Sequence, residues 1–317
     1  MSRILITGAS GFVGSNAVDY FLGKGDHVVG IDNFNTGNKQ FLKSALNDAN
    51  FVLHEVDLLA CDQIDKYFDN IDLVLHLSAN ADIRFGMDHP RRDLEQNVVV
   101  THNLLEACRR RGIKKFAFSS TGSVYGEAKV VPTPEDAPFP IQTSLYGASK
   151  LAAEGLIQAY VETFNMQAWI FRFVSILGPR YTHGHIFDFY KQLKETPSTL
   201  KVLGNGHQNK SYLHVSDCIF AMDTALNLAQ QKLNIFNLGT SESCEVRDSI
   251  TWILDEMGLD PVVQYGTANK GWIGDNPLIL LETSKIRSLG WKPIFSIQDG
   301  VRDTVRYFQN TPELFQK

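Results

Sequence analysis

The chain has 317 residues, 44% of them hydrophobic, and a formal net charge of -5 at pH 7. This length and composition suffice for a large core in one domain or two coupled ones, and the acidic balance without a long basic run excludes nucleic acid as the main partner. The four cysteines lie far apart and in no metal-binding spacing, which predicts reduced thiols, no metal and a cytoplasmic location. We expect no signal peptide and no membrane span, because a strand begins by Arg3 and no apolar run reaches about eighteen residues.

Apolar runs alternate with amphipathic helical patterns over the first 175 residues. The runs cover residues 3–7, 27–31, 51–56, 72–77, 115–119 and 168–174. This alternation predicts an α/β fold with a doubly wound parallel sheet, in which ligands bind at the carboxyl ends of the strands.

A glycine-rich turn follows the first predicted strand. Gly8, Gly11 and Gly14 let the backbone turn sharply and approach a diphosphate at the positive end of the next helix. The spacing differs from Gly-x-Gly-x-x-Gly and also fits a plain tight turn. Asp32 ends the second apolar run, where a carboxylate accepts hydrogen bonds from both ribose hydroxyls of adenosine. Because residues 33–37 contain no arginine for a 2′-phosphate, NAD is favoured over NADP.

A tyrosine and a lysine are spaced to share one helical face. Tyr146 precedes Lys150 by four residues. A free phenol titrates near about 10, and a nearby positive charge favours the phenolate and makes it a usable general base. By itself, this spacing also fits a half-buried tyrosine beside a solvated lysine.

Taken in order, these motifs resemble the extended short-chain dehydrogenase/reductase family, in its nucleotide-sugar epimerase and dehydratase branch. The resemblance covers nearly the whole chain, and Val56-Asp57-Leu58, His76-Leu77-Ser78-Ala79, Asn97, residues 118–126 and residues 212–217 also carry it. It implies a NAD-binding Rossmann domain over residues 1–175, with a return at about 213–238, and a smaller substrate-binding lid domain over 176–317. It also implies a homodimer through helices over 97–111 and 146–165, although their apolar faces also fit internal packing.

The resemblance assigns roles to individual residues. It implies NAD contacts by Gly8, Gly11, Phe12, Val13, Gly14, Asp32, Asn33, Asn35, Thr36, Gly37, Asp57, Leu58, Leu77, Ser78, Ala79, Asn97, Ser119, Tyr146, Lys150 and Phe173. It implies substrate contacts by Thr121, Ser175, His185, Lys210, Asp275 and Ile279. The catalytic residues would be Tyr146, whose phenolate takes a proton from a sugar hydroxyl, Thr121, which shares that proton, and Lys150, which holds the ribose and the phenolate charge.

The residues after Thr121 distinguish the reactions of this branch. Relatives that eliminate water carry an Asp-Glu pair after the threonine, and decarboxylases carry a glutamate before Val-Tyr-Gly, whereas this chain has Gly122 and Ser123. The resemblance therefore implies a 4-epimerase of the UDP-glucose type, in which a 4-keto sugar takes the hydride back on its other face. A dehydrogenase or reductase is the alternative, followed by a dehydratase or decarboxylase. A non-catalytic NAD-binding regulator is disfavoured, because Tyr146 and Lys150 are both present.

Departures from the family pattern concern the substrate. Ser175 stands where relatives have asparagine, Lys210 where they have a diphosphate-binding arginine, and residues 270–275 keep Gly-Asp without the neighbouring arginine. The positive charge of Lys210 is retained without bidentate geometry, so the sugar is less determined than the reaction.

Two further expectations follow from the substrate region. His183 and His185 lie in a loop that closes on the diphosphate in relatives, and without a third ligand nearby they favour phosphate contact or plain solvation over a metal. Ile279 corresponds to a position where a tyrosine excludes N-acetyl groups at C2. The smaller isoleucine predicts that N-acetylhexosamines are accepted, although residues 278–281 also fit a core strand.

Overall fold

A computed structural model describes residues 1–80, 83–139, 141–268 and 278–315, with backbone alone for residues 61–63 and 83–85. The chain forms two compact units. The first comprises Met1–Gly126, Pro138–Arg172 and Met222–Phe236, and the second comprises Glu127–Ala137, Phe173–Ala221 and Asn237–Lys317. Within the described ranges, no helix has the length and apolar character needed to cross a membrane.

The secondary structure follows the predicted alternation in the first part of the chain. The strands are β1 Arg3–Thr7, β2 His27–Asp32, β3 Phe51–Glu55, β4 Leu73–His76, β5 Lys115–Thr121, β6 Gln167–Phe173, β7 Ser175–Leu177, β8 Thr199–Val202, β9 Asn209–Lys210, β10 Tyr212–His214, β11 Leu233–Leu238, β12 Cys244–Glu245 and β13 Val262–Tyr265. The helices are α1 Phe12–Gly23, α2 Ile83–Asp88, α3 Pro90–Asp93, α4 Val100–Arg111, α5 Leu145–Phe164, α6 His185–Glu195, α7 Val215–Leu228, α8 Val246–Met257, α9 Ser284–Arg287 and α10 Ile297–Asn310. A π-helix, Leu94–Val99, joins α3 to α4.

A seven-stranded sheet with the order β11-β6-β5-β4-β1-β2-β3 forms the centre of the first unit. β1 pairs in parallel with β2 and β4, β2 with β3, and β4 with β5. The chain runs outward from β1 to β3 and then restarts at β4 on the other side of β1. Ligands of doubly wound folds bind at such a reversal, beyond the carboxyl ends of the strands. The predicted fold class is confirmed.

One face of this sheet is covered by α4 and α5. Leu5, Val74 and Phe116 of the sheet belong to one buried cluster with Leu104 of α4 and Ile157 of α5. This burial orients α5, since residues spaced by three and four along a helix share a face. Ser144 is the N-cap of α5, because its side chain accepts a hydrogen bond from the Gly147 amide.

The second unit is built from short strand pairs and helices. β7 pairs with β10 and β8 with β13 in parallel, while β9 and β12 are antiparallel. Residues 127–137, placed in the first domain from the sequence, belong to this unit because the Thr133 amide donates to Leu280 O, and Thr133 O accepts from the Glu282 amide. Backbone pairing of this kind leaves no local sequence signal.

Candidate active site

The glycine-rich turn joins β1 to α1 and requires glycine at particular positions. Gly8 has φ of +68°, and a Cβ at Gly14 would lie 1.9 Å from Gly8 O. The amides of Gly8 and Ala9 donate to Ile31 O, which anchors the turn to β2. Gly11 is the N-cap of α1 without a side-chain cap. The turn therefore brings the backbone amides at the helix start close to the ends of the strands.

Asp32 ends β2 beside this turn and is 8% exposed. Its Oδ2 accepts from the Ser10 amide and its Oδ1 from the Phe34 amide, both at 2.8 Å. Each carboxylate oxygen has a second lone pair for a further donor, such as a ribose hydroxyl. Among the described residues, the buried Ser10 Oγ has no hydrogen-bond partner. A cradle with an acid, an orphaned hydroxyl and a helix N-terminus fits a dinucleotide.

Other residues predicted to contact NAD lie in the loops after β2 and β3. The Asn33 side chain accepts from the Asn35 amide, and Asp57 Oδ1 accepts from the Leu59 amide, so both acceptors shape their own turns. Asn35, Thr36 and Asp57 are exposed, whereas Leu58 is buried. Gly37 packs closely on the glycine-rich turn, because a Cβ there would lie 1.9 Å from Ser10 Oγ.

The loop after β4 is fixed by a buried hydroxyl. Thr7 Oγ1 accepts from the amides of Leu77 and Ser78 at 3.2 Å each, and it lies 2.8 Å from His76 Nδ1. Burial, with a contribution from the Lys150 charge, holds the pKa of His76 well below its ordinary value, so this histidine is neutral. The other predicted contacts here, Phe12, Val13 and Ala79, are half-buried.

The three predicted catalytic residues meet between the end of β5 and the first turns of α5. The Tyr146 phenol hydrogen-bonds with the Thr121 side chain. Lys150 Nζ donates to Ser119 O at 2.8 Å and lies 4.6 Å from the centre of the Phe118 ring. Residues near the end of β5 thus contact both Tyr146 and Lys150, which lie four positions apart on α5.

The electrostatics of this pair differ from the sequence expectation that Lys150 lowers the pKa of Tyr146. Burial raises the pKa of the Tyr146 phenol to about 12, and the hydrogen bond with Thr121 opposes this rise. Burial lowers the pKa of Lys150 to about 7, although the charges of Glu154 and Asp93 raise it. Lys150 is only 1% exposed, so its desolvation outweighs the carboxylate charges that raise its pKa, and the Asp93 charge raises the pKa of the phenol further.

A buried ion pair that sequence reasoning missed supports this arrangement. Arg172 Nε and Nη2 donate to Glu154 at 3.1 and 2.8 Å, and Arg172 Nη1 donates to the Tyr125 hydroxyl at 2.6 Å. Ser120 Oγ donates to Glu154 Oε1 at 2.5 Å. The signal was the continued spacing of four from Tyr146 through Lys150 to Glu154, which places all three on one face of α5.

Asn97 links the π-helix to the first turn of α5. Its Oδ1 accepts from the Asn80 amide at 3.0 Å, and its Nδ2 donates to Ser149 Oγ at 2.9 Å. Ser149 Oγ donates in turn to Tyr146 O at 2.8 Å. Asn97 is therefore a support for the Tyr146 turn, in a helix type often found at functional sites.

The predicted substrate residues that the structure describes belong to the second unit, apart from Thr121. Ser175 of β7 lies opposite Tyr212 of β10, whose hydroxyl is 2.9 Å from His185 Nδ1. Burial, and to a smaller extent the Lys210 charge, lowers the pKa of His185 to about 3, so the ring is neutral. Ser175, His185 and Lys210 are thus brought together around Tyr212.

The remaining predicted residues are less informative. Phe173 and Ile279 are half-buried in the second unit, and Asp275 lies outside the described residues. Within the described part of the chain, no group of three or more His, Cys, Asp or Glu side chains could hold a metal ion.

Comparison with known proteins places these features in a family. Residues 4–239 match the NAD dependent epimerase/dehydratase family. The UDP-glucose 4-epimerase of Mycolicibacterium smegmatis is 30% identical over 314 residues, covering 97% of this chain and 99% of that protein. The crystal structure of UDP-glucuronic acid 4-epimerase from Bacillus cereus, in complex with UDP-glucuronic acid and NAD, has a TM-score of 0.90 at 29% identity and covers 97% of this chain and 99% of that one.

A dehydratase shares the same fold. The dTDP-glucose 4,6-dehydratase DesIV from Streptomyces venezuelae has a TM-score of 0.91 at 24% identity, with 99% of each chain covered, and this likeness shows the fold alone. The family match spans most of the chain and the relatives match over their full length. The chain therefore belongs to the NAD dependent epimerase/dehydratase family, with NAD as its cofactor.

Proposed function

We propose that the protein catalyses the epimerisation of a nucleotide sugar at C4, of the UDP-glucose/UDP-galactose type, through a transient 4-keto sugar. The observation that carries the proposal is the hydrogen bond between the Tyr146 phenol and Thr121, with the Lys150 ammonium held one helical turn away. Proton removal from a sugar hydroxyl requires such a base at the carboxyl end of the sheet. NAD, when bound by the glycine-rich turn and Asp32, would supply the acceptor for the hydride and its later return.

The chain's own groups divide the work of proton transfer. Tyr146 Oη takes the hydroxyl proton, and Thr121 Oγ1 hydrogen-bonds with the phenol and favours its ionised form. Lys150 contributes a positive charge that is held in place by Ser119 O and the Phe118 ring. On return, Tyr146 gives the proton back to the carbonyl oxygen of the keto sugar. The site therefore needs no external acid or base.

The residues after Thr121 support an epimerase over a dehydratase. Ser123 donates its amide to Thr121 Oγ1 at 3.1 Å, and its hydroxyl is 3.2 Å from the same atom. Gly122 and Ser123 offer no carboxyl group to remove a C5 proton or protonate a leaving hydroxyl. A 4-keto sugar formed here is left with hydride return as its simplest fate.

The test is incubation of the purified protein with UDP-, GDP-, CDP- and dTDP-sugars, with C4 stereochemistry followed by NMR. We expect interconversion of C4 epimers with no net NADH at 340 nm, because hydride leaves and returns within one turnover. Steady NADH accumulation would instead identify a dehydrogenase, and a 4-keto-6-deoxy product a dehydratase.

We propose that the C2 pocket accepts an N-acetyl group, with Ile279 on its wall. The segment that contains Ile279 is held by the hydrogen bond from the Thr133 amide to Leu280 O. We expect Ile279→Tyr to lose activity on UDP-GlcNAc selectively, by about tenfold or more relative to UDP-glucose, because the added ring fills the space. Ile279→Leu is the volume-matched control. Equal loss on both substrates, or none, would contradict this role.

We also propose a homodimer formed through α4 and α5. The exposed side of α5 carries Ala152, Gly155 and Ala159, and an added Cβ at Gly155 meets no heavy atom within 4 Å. Small residues along one side let a second helix approach closely. Half-buried Leu156 and Tyr160 on the same helix add apolar area.

A further inference from the structure

Asp93, at the end of α3, is a buried carboxylate that the mechanism above does not use. The residue is 2% exposed, and its Oδ1 accepts from Asn80 Nδ2 at 2.8 Å. Within the described residues, its Oδ2 has no hydrogen-bond partner. A buried carboxylate is costly unless donors or an opposite charge compensate it. One well-placed amide leaves Asp93 in need of a counter-charge.

Lys150 supplies that counter-charge. α3 packs against α5, the helix that carries Lys150, and both Asp93 and Lys150 are buried. Burial raises the pKa of Asp93 above its ordinary value, while the Asn80 hydrogen bond and the Lys150 charge lower it. The interaction is mutual, because Asp93 raises the pKa of Lys150 against its larger desolvation.

Geometry also ties Asp93 to the catalytic turn. Asn97 Nδ2 lies 3.5 Å from Asp93 Oδ1 and donates to Ser149 Oγ, which donates to Tyr146 O. Space for the carboxylate comes from Gly86 of α2, where a Cβ would lie 2.2 Å from Asp93 Oδ2. The carboxylate is therefore held by packing on one side and by the Asn80 and Asn97 amides on the other.

Among the described residues, Glu154 of α5 also raises the pKa of Lys150, and the Lys150 charge lowers the pKa of His76 of β4. The Asp93 charge also raises the pKa of the Tyr146 phenol, which makes its effect on Lys150 the one that could assist the base. Glu154 is already engaged by Arg172 and Ser120. His76 is neutral and hydrogen-bonded through both ring nitrogens. Of the two carboxylates that raise the pKa of Lys150 in the described part of the chain, Asp93 is the one with an oxygen that has no hydrogen-bond partner.

We propose that Asp93 is a positioning residue, whose carboxylate keeps the Lys150 ammonium charged and aligned on the Tyr146 face of α5. Its role in turnover rests on the proposed epimerisation. Its electrostatic coupling to Lys150 exists whatever the reaction is. The two parts are tested separately.

The first experiment is a double-mutant cycle of Asp93→Asn and Lys150→Met on the free energy of unfolding, which requires no turnover. At pH 6.5 we expect a favourable coupling of about threefold in the unfolding equilibrium constant, falling to almost none at pH 9. The fall follows from the Lys150 pKa of about 7 in the folded protein, above which the ammonium is lost. A coupling absent at pH 6.5, or equal at both pH values, overturns the proposal.

The second experiment is the pH profile of kcat. For Asp93→Asn we expect a loss of about tenfold at pH 8.5 and less than about twofold at pH 5.5, with KM little changed, because Lys150 loses its proton at lower pH. Gly86→Ala, which displaces the carboxylate, should move the profile in the same direction. Glu95→Gln is the matched control, since Glu95 pairs with exposed Arg91 at 2.5 Å on the next turn. A uniform loss at all pH values would reveal a merely structural role and overturn the assignment.

The two experiments separate the possible failures. If no C4 epimerisation is found with any sugar, the proposed function fails, and the stability cycle still decides whether Asp93 and Lys150 are coupled. If epimerisation is found and the cycle shows no coupling, the positioning role alone is refuted.

Discussion

At the scale of single residues, burial of Tyr146 works against its proposed role as a base, because burial disfavours the phenolate. Its pKa is raised to about 12 by burial, and the hydrogen bond with Thr121 recovers part of that cost. The site must supply the rest from charge, because a phenol that stays protonated at neutral pH cannot accept a proton. We propose that Lys150, one helical turn away on α5, supplies this charge during turnover.

Replacing Tyr146 by phenylalanine removes the base and little else. We expect Tyr146→Phe to lower kcat by at least about 10², with folding and NAD content unchanged, because one hydroxyl is deleted. Tyr160→Phe is the matched control on the same helix, where the hydroxyl donates to Glu106 at 2.6 Å outside the site. Wild-type turnover in Tyr146→Phe would refute the mechanism.

The depressed pKa of Lys150 has a consequence for stability in the cofactor-free protein. Because this pKa falls from 10.5 to about 7 on folding, the unfolded chain binds the Lys150 proton more tightly between these values. Stability therefore rises with pH across this window and is lost again on acidification. We expect the free energy of unfolding of wild type to increase relative to Lys150→Met from pH 7 to pH 10. A difference between the two proteins that is independent of pH would show that Lys150 titrates normally.

At the scale of elements, the sequence predicted what local patterns encode. The apolar runs at 3–7 and 27–31 correspond to β1 and β2 within one residue, because buried parallel strands are continuous apolar segments. The π-helix Leu94–Val99 was not predicted, since it shares the apolar periodicity of the α-helix that follows. Glu154 and Asp93 were missed for a related reason. Their burial depends on Arg172 and Lys150, which only tertiary packing brings near them.

The glycine-rich turn gives a sharp prediction about one element. We expect Gly14→Ala to destabilise the protein by about 3 kcal/mol or more and to abolish NAD retention, because the added Cβ would lie 1.9 Å from Gly8 O. Gly23→Ala, in the same helix with nothing within 4 Å of the new Cβ, should be neutral or slightly stabilising. Thermal unfolding and the ratio of bound NAD to protein measure both effects. If the two variants behave alike, the close approach of α1 to the turn is not required.

At the scale of the whole molecule, the two units differ in how much of their structure can be predicted from the sequence. The first unit repeats a strand and helix pattern, so its sheet follows from local periodicity and short crossovers. The second unit pairs strands as short as Asn209–Lys210 with Cys244–Glu245, and joins Thr133 to the backbone of Leu280. Segments that pair across such long separations in sequence leave little pattern in the local sequence of either segment. The substrate residues there could be proposed only from resemblance.

Association of two chains is the remaining property of the whole molecule, and Gly155 offers a direct test. An arginine at Gly155 meets no neighbour near its Cβ within one chain, so any disruption must come from a partner chain. We expect wild type to sediment as a dimer and Gly155→Arg as a monomer of 35.5 kDa, with unchanged helix content. Gly23→Arg, equally open at the end of α1, is the control that should remain dimeric. If Gly155→Arg sediments as wild type does, α5 does not form the interface. Monomeric wild type would refute the dimer itself.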